Sequence, residues 1–288
     1  MRIQSGNLLI YFDTSAVNWL FDDPRRDSIL GRLAGNASIY ISIFTVAELA
    51  ATSSKERRTE LLRLARKLSF NWRPLAWPGD LLKRSLDAFT SRKDSFEASM
   101  GTEWDGLWQA LCNPEVIENE DWAEAVRWKN QQEQWYQRMH DEGREHIQHA
   151  LSRIPTNERE QFYKKPSKVL RYFSNNTEYI TDLFSEMARR CGHETFSQGS
   201  IISVLDLEEW RFFLGAMVYG FFLRSVQRDH FSKKRNPGSI DTMQAIYLSG
   251  CDSFVTADWN QYRMMKWLLP LGYRKRRIRY YDQLTRQY

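Results

Sequence analysis

Residues 7–15 read NLLIYFDTS, an apolar run that ends on Asp13 and passes at once to Thr14 and Ser15. Seven residues containing Leu, Ile, Tyr and Phe are too few for a helix, so 7–13 is expected as a buried strand. Thr14 and Ser15 can cap a helix, and AVNWLF continues with helical spacing. A strand ending on an acid, followed by a helix, is the unit from which the rest of the fold is read.

The same unit recurs along the chain. Residues 38–44 (SIYISIF) read as a second strand, and Thr45 is a candidate cap for a helix through VAELAATSS that carries Glu48 in its first turn. Residues 58–68 (RTELLRLARKL) place Leu61, Leu64, Ala65 and Leu68 on one helical face. A third short strand is expected at 73–77, because Pro78, Gly79 and Asp80 then open a helix. Near the C-terminus Ser239 is a candidate N-cap, Asp241 falls in the first helical turn, and Gly250 stands where a helix-ending glycine belongs. SFVT at 253–256 is a fourth strand and RIRYYD at 277–282 a fifth. Strands alternating with helices imply an α/β fold: a mostly parallel five-stranded sheet with helices on both faces. In such sheets the functional crevice lies beyond the carboxyl ends of the strands.

Between about residues 95 and 198 the character changes. This stretch holds five of the eleven tryptophans (Trp104, Trp108, Trp122, Trp128 and Trp135), is rich in Glu, Gln and Arg, and has few β-branched runs. It reads as an inserted all-helical subdomain. The expected organisation is a first part of the core at 1–92, a helical insertion at 93–224 and a second part of the core at 225–288. The run FFLGAMVYGFFL has twelve residues, against the roughly 20 a bilayer span needs, and is expected as a buried helix. His140, His146 and His149 with Glu142 and Glu145 are helix-spaced but match no zinc signature, and read as a solvated face.

Hydrophobic residues at 42% and aromatics at 14% exclude a disordered chain. The three cysteines, Cys112, Cys191 and Cys251, are far apart and show no metal-ligand spacing, so a reducing compartment without disulfides is expected. No secretory signal is recognised at the start. A soluble, cytoplasmic protein is therefore expected. The net charge of +5 is uneven: residues 225–288 hold twelve Lys and Arg against five Asp and Glu. A basic quarter of that kind suits a polyanionic partner, or merely solubilises the last elements.

Asp13, Glu48, Asp241 and Asp258 form an ordered set of strand-end and helix-start acids, although nearly two hundred residues separate the second from the third. Each alone reads equally as a turn or cap residue. Asp241 and Asp258 are 17 residues apart; a nine-residue helix of about 14 Å and a returning strand of about 15 Å bring them back to one end of the sheet. A strand-end Asp also opens the haloacid-dehalogenase phosphatases, but those need a second Asp two places on, where this chain has Ser15. The chain instead resembles the PIN-domain nucleases, the family that includes VapC-type toxins. The resemblance rests on Asp13 with Thr14 and Ser15, on Thr45-x-x-Glu48, on Asp241 and on Thr256-x-Asp258, and it covers about half the chain. The long insertion departs from the family pattern.

The resemblance implies a Mg²⁺- or Mn²⁺-dependent nuclease, usually an endoribonuclease. Asp13 and Asp258 would be direct metal ligands, with Glu48 and Asp241 completing a catalytic carboxylate cluster. Thr14, Ser15 and Thr256 would support a carboxylate or the scissile phosphate, or serve as caps. An acidic site repels RNA, so basic residues are expected on its rim: Arg228, Lys233, Lys234 and Arg235 before Asp241, and Arg274, Lys275, Arg276, Arg277 and Arg279 at the last strand. A toxin-like role with a protein inhibitor or antitoxin follows from the resemblance alone, and a homodimer is open. The rival readings are a structure-selective DNA nuclease and a catalytically silent nucleic-acid-binding scaffold.

Overall fold

Strand β1 (Leu8–Phe12) divides its side chains between two apolar clusters: Tyr11 enters one, Ile10 and Phe12 the other. That period of two makes β1 the middle of a three-layer molecule. The computed structural model describes residues 8–35, 37–69, 74–91, 106–164, 168, 178–193, 196, 198–226 and 239–286. In chain order β1 is followed by helices α1 (Thr14–Asp22) and α2 (Arg26–Ala34), strand β2 (Ala37–Tyr40), and helices α3 (Ile43–Ala50), α4 (Lys55–Leu68) and α5 (Pro78–Thr90). A helical stretch then runs through α6 (Gly106–Cys112), α7 (Pro114–Asn119), α8 (Ala123–Ser152), α9 (Thr156–Lys164), α10 (Glu178–Arg190), α11 (Gln198–Val204) and α12 (Glu208–Val226). The chain closes with α13 (Ser239–Met243) continuing as a 3₁₀ segment (Gln244–Gly250), β3 (Ser253–Thr256), α14 (Trp259–Leu268), β4 (Arg277–Tyr280) and α15 (Tyr281–Thr285).

The sheet is parallel throughout, in the order β2-β1-β3-β4. Tyr11 pairs with Tyr40 on one side and Phe254 on the other, and Thr256 pairs with Tyr280. Every strand therefore ends at the same edge. Phe254 and Ile278 join the Tyr11 cluster, and Ala37 and Val255 join that of Ile10 and Phe12. Both faces are covered, as a wholly parallel sheet requires.

The expected α/β architecture forms, with four strands among the described residues and not five. Of the stretch 73–77, residue 73 lies outside the described residues and 74–77 make one bridge, Leu75 beside Ser42, through Leu75 N–H to Ile41 O at 2.9 Å and Ile43 N–H to Leu75 O at 2.8 Å. Pro74 and Pro78 stand on either side without an N–H to donate, so the ladder cannot extend. Pro78 instead takes the first position of α5. The second strand is also shorter than expected. Ser42 caps α3 by accepting from Thr45 N–H at 3.1 Å, so Ile43 and Phe44 are helical and Glu48 falls in the second turn.

Helix α12 contains the run expected as a buried helix. Its Phe212, Phe213, Met217 and Phe222 share one cluster with Tyr11 and Phe254, so this helix packs into the same core as the sheet. Each such side chain taken from water contributes about 1.5–3 kcal/mol. No helix among the described residues is long and apolar enough to cross a membrane. No disulfide joins the cysteines.

Candidate active site

Asp13 is the residue at which β1 becomes α1. Its N–H donates to Val255 O at 3.1 Å, continuing the ladder to β3, and its Oδ1 accepts from Ala16 N–H at 2.7 Å, capping α1. Only 1% of its surface is exposed. Asp258 repeats this geometry after β3: its Oδ1 accepts from Gln261 N–H at 2.8 Å and caps α14. The two acids thus perform the cap role that each could have on its own, and do so from neighbouring strand ends at the carboxyl edge.

One polar circuit runs between them. Ser15 Oγ donates to Asp13, 2.9 Å from either carboxyl oxygen, and accepts from the N–H groups of Ala257 and Asp258 at 2.7 and 3.1 Å. Thr256 Oγ1 stands 3.1 Å from Ser15 Oγ and donates to Gln261 Oε1 at 2.8 Å. Gln261 Nε2 donates to Gln244 Oε1 at 2.7 Å, and Gln244 Nε2 reaches Glu48 Oε2 at a long 3.5 Å. Thr14 donates its hydroxyl to that same Glu48 oxygen and closes the circuit beside Asp13. Gln244 and Gln261 are both buried. Asp241 stands three residues before Gln244 on the same helical segment.

Burial raises the Asp13 carboxyl to about 7, against the lowering effect of the nearby Thr256 hydroxyl and of hydrogen bonds from Ala16 N–H and Ser15; the Glu48 charge pushes it further up. Burial also raises Glu48, opposed by the Thr14 hydrogen bond and by Lys129, with the Glu133 charge adding to the rise. Both effects have one origin: carboxylates drawn together away from water hold their protons.

Lys129, Glu133 and Tyr136 all come from α8. Lys129 Nζ lies 3.9 Å from Glu48 Oε1. One turn on, the charge of Glu133 acts on the same carboxylate, and Tyr136 O–H bonds Thr242 Oγ1 at 2.5 Å, beside Asp241. The helical stretch expected as an insertion therefore lies against the acids. No family model, curated protein or solved structure matches the chain.

The basic residues are placed differently from expectation. Arg277 is the first residue of β4 and pairs with Ser253, the first of β3. The three-residue span from there to Thr256 is about 10 Å long, so Arg274, Lys275, Arg276 and Arg277 sit at the amino edge, opposite the acids. Strand direction is the reason: residues before a parallel strand emerge at the end its acid does not occupy. There they line a cleft of about 730 Å³ with Asp252 and Ser253. Arg276 is buried and paired with Glu208, and it donates to Ser249 O at 3.0 Å. Arg279 is also buried, in mid-strand. Arg228, Lys233, Lys234 and Arg235 lie outside the described residues, as does Trp104. Glu142, Glu145 and His149 face solvent, while the side chains of His140 and His146 are outside the described set.

Sequence reasoning missed Gln244, Gln261 and Lys129. Gln261 had a signal, because Asp258-x-x-Gln261 has capping-box spacing. Gln244 sits one turn after Asp241. Lys129 had none, since nothing local ties α8 to Glu48.

Proposed function

We propose that the carboxyl edge is the active site of a divalent-metal-dependent endoribonuclease built on a PIN-like core. The observation that carries this reading is the polar circuit that joins Asp13, Glu48 and Asp258 at the strand ends. The donor chemistry fits Mg²⁺ or Mn²⁺. All candidate ligands are oxygens, and among the described residues no Lys, Arg or His pairs with Asp13, so its ionised form lacks a counter-charge. Among the described residues no three acidic, histidine or cysteine side chains gather as a ready-made metal cage. An ion held by one or two carboxylates, with waters completing its shell, is the ordinary arrangement for Mg²⁺.

Asp13 and Asp258 would hold the ion. When bound, it would lower the pKa of an attacking water and stabilise charge building on the phosphate. Glu48, fixed by Thr14, and Asp241 would orient water. Ser15 ties Asp13 to the Ala257–Asp258 turn, so it sets the spacing between the two ligands. Lys129 brings positive charge to the acids and offers a contact for the incoming phosphate.

Purified protein is expected to cleave single-stranded RNA with Mn²⁺ or Mg²⁺ and to stop on chelation. Asp13→Asn should lower the rate by at least about 100-fold with the fold intact, since Asn also caps helices well. Undiminished cleavage by that variant rejects the assignment, and a preference for DNA moves the substrate class.

A further inference from the structure

Among the described residues, two of the few large apolar side chains that face solvent converge on this edge: Trp19 is 46% exposed and Trp259 is 56% exposed. Trp19 belongs to α1, which Asp13 caps, and Trp259 is the first residue of α14, which Asp258 caps. Between them stands Tyr280, the last residue of β4 and hence also at the carboxyl edge. The Tyr280 ring is 6.2 Å from Trp19 and 6.0 Å from Trp259, edge-to-face with both. Trp259 stacks on Tyr262 at 5.2 Å and 20°, so its exposure comes from the opposite face and the ring edge.

We infer that Trp19, Trp259 and Tyr280 form a platform that stacks unpaired nucleobases of the chain held at the carboxylates, selecting single-stranded over duplex nucleic acid. The inference rests on the proposed nuclease reading. Its basis is continuity: the two helices that carry the indoles begin at Asp13 and Asp258, the two acids that would hold the metal ion facing the phosphate. A strand whose phosphate meets a metal ion held by Asp13 and Asp258 would carry its neighbouring bases over these rings. Every base offers a π face, so stacking tolerates any sequence, whereas in a duplex those faces are already stacked. Lys266, with its ammonium 4.9 Å from the Tyr262 ring, supplies a cation for the backbone on the same helix. Buried tryptophans such as Trp210 explain themselves by packing, but Trp19 and Trp259 leave about half their surface in water.

The test is equilibrium binding of a fluorescein-labelled oligo(U) RNA in Ca²⁺, with the strand checked intact on a gel, alongside an abasic strand of equal length that keeps every phosphate. Trp19→Ala with Trp259→Ala should weaken oligo(U) binding about 10- to 100-fold, as expected for the loss of one to two stacked bases. Binding of the abasic strand should be unchanged, and Trp259→Phe should keep most of the affinity. Unaltered oligo(U) binding by the double variant overturns the platform. So does wild-type protein that holds the abasic strand as tightly, or a double variant that turns from dimer to monomer with RNA binding intact. Base-dependent binding without cleavage in Mn²⁺ keeps the platform and rejects the nuclease. Normal cleavage and single-strand preference in the double variant keep the nuclease and reject the platform. Wild-type protein that binds neither strand overturns the platform, and cleavage in Mn²⁺ then decides the nuclease separately.

Discussion

At Asp13 a carboxylate with 1% exposure meets only neutral donors, and its ordinary value of 3.8 rises to about 7. A raised carboxyl pKa means that the folded state holds the proton more tightly than the unfolded chain. The associated stability is fully present below about pH 4 and is lost as pH climbs to and through about 7. The shift corresponds to up to about 4 kcal/mol, and Glu48, raised by the same burial, acts in the same direction. Thermal denaturation of metal-free protein should therefore show a midpoint that falls from pH 5 to pH 8. Asp13→Asn cannot ionise and should remove most of that fall, and millimolar Mn²⁺ at pH 8 should restore the wild-type midpoint. Equal pH dependence in wild type and Asp13→Asn would show that the buried carboxyl is not the cause.

The elements that carry the acids differ in how legible they were. NLLIYFD and SFVTAD could be read because a parallel strand, buried on both faces, must be a short apolar run, and each ends on a polar cap. The expected strand at 73–77 could not be judged from apolar content alone. Pro74 and Pro78 set its limit by removing donors on either side of Leu75. The start of α3 turned on competition between Ser42 and Thr45 for the cap. Ser42 holds it because its hydroxyl is also 2.9 Å from Tyr11 O–H on the neighbouring strand, a tertiary contact that local propensity does not contain. That double role makes Ser42→Ala a test of how Glu48 is positioned. The substitution removes the cap bond and one partner of a buried phenol, leaving Tyr11 its 3.2 Å contact with Thr45. A loss of about 1–2 kcal/mol is expected in denaturant titration. A change below about 0.3 kcal/mol would mean that packing alone fixes the start of α3.

Among the long-range ties that join the helical stretch to the rest of the described molecule, two stand out, and neither is written in local sequence. The first runs from α8 to the site, through Lys129 to Glu48 and Tyr136 to Thr242. The second runs from the start of α12 to the last strand, where Glu208 accepts from Tyr273 N–H at 2.6 Å and grips the Arg276 guanidinium. The side chains of Arg276 and Glu208 keep 2% and 13% of their surface in water. Burial opposes ionisation of Glu208, yet the Arg276 and Tyr273 hydrogen bonds hold its carboxyl below the usual range. Removing one partner leaves the other charge stranded, which is the expensive case for a buried pair. Arg276 also lies over the Phe212 ring, 5.3 Å from its centroid, inside the cluster shared with Tyr11, so a guanidinium turned out towards the cleft would give up this packing. Glu208→Ala should therefore destabilise the protein by about 3–5 kcal/mol in urea. Glu208→Gln, which keeps the neutral hydrogen bonds, should lose less. Replacing both residues, Glu208→Leu with Arg276→Met, should recover much of the stability, because no buried charge then remains. A Glu208→Ala variant as stable as wild type would place Arg276 in water and separate α12 from the last strand.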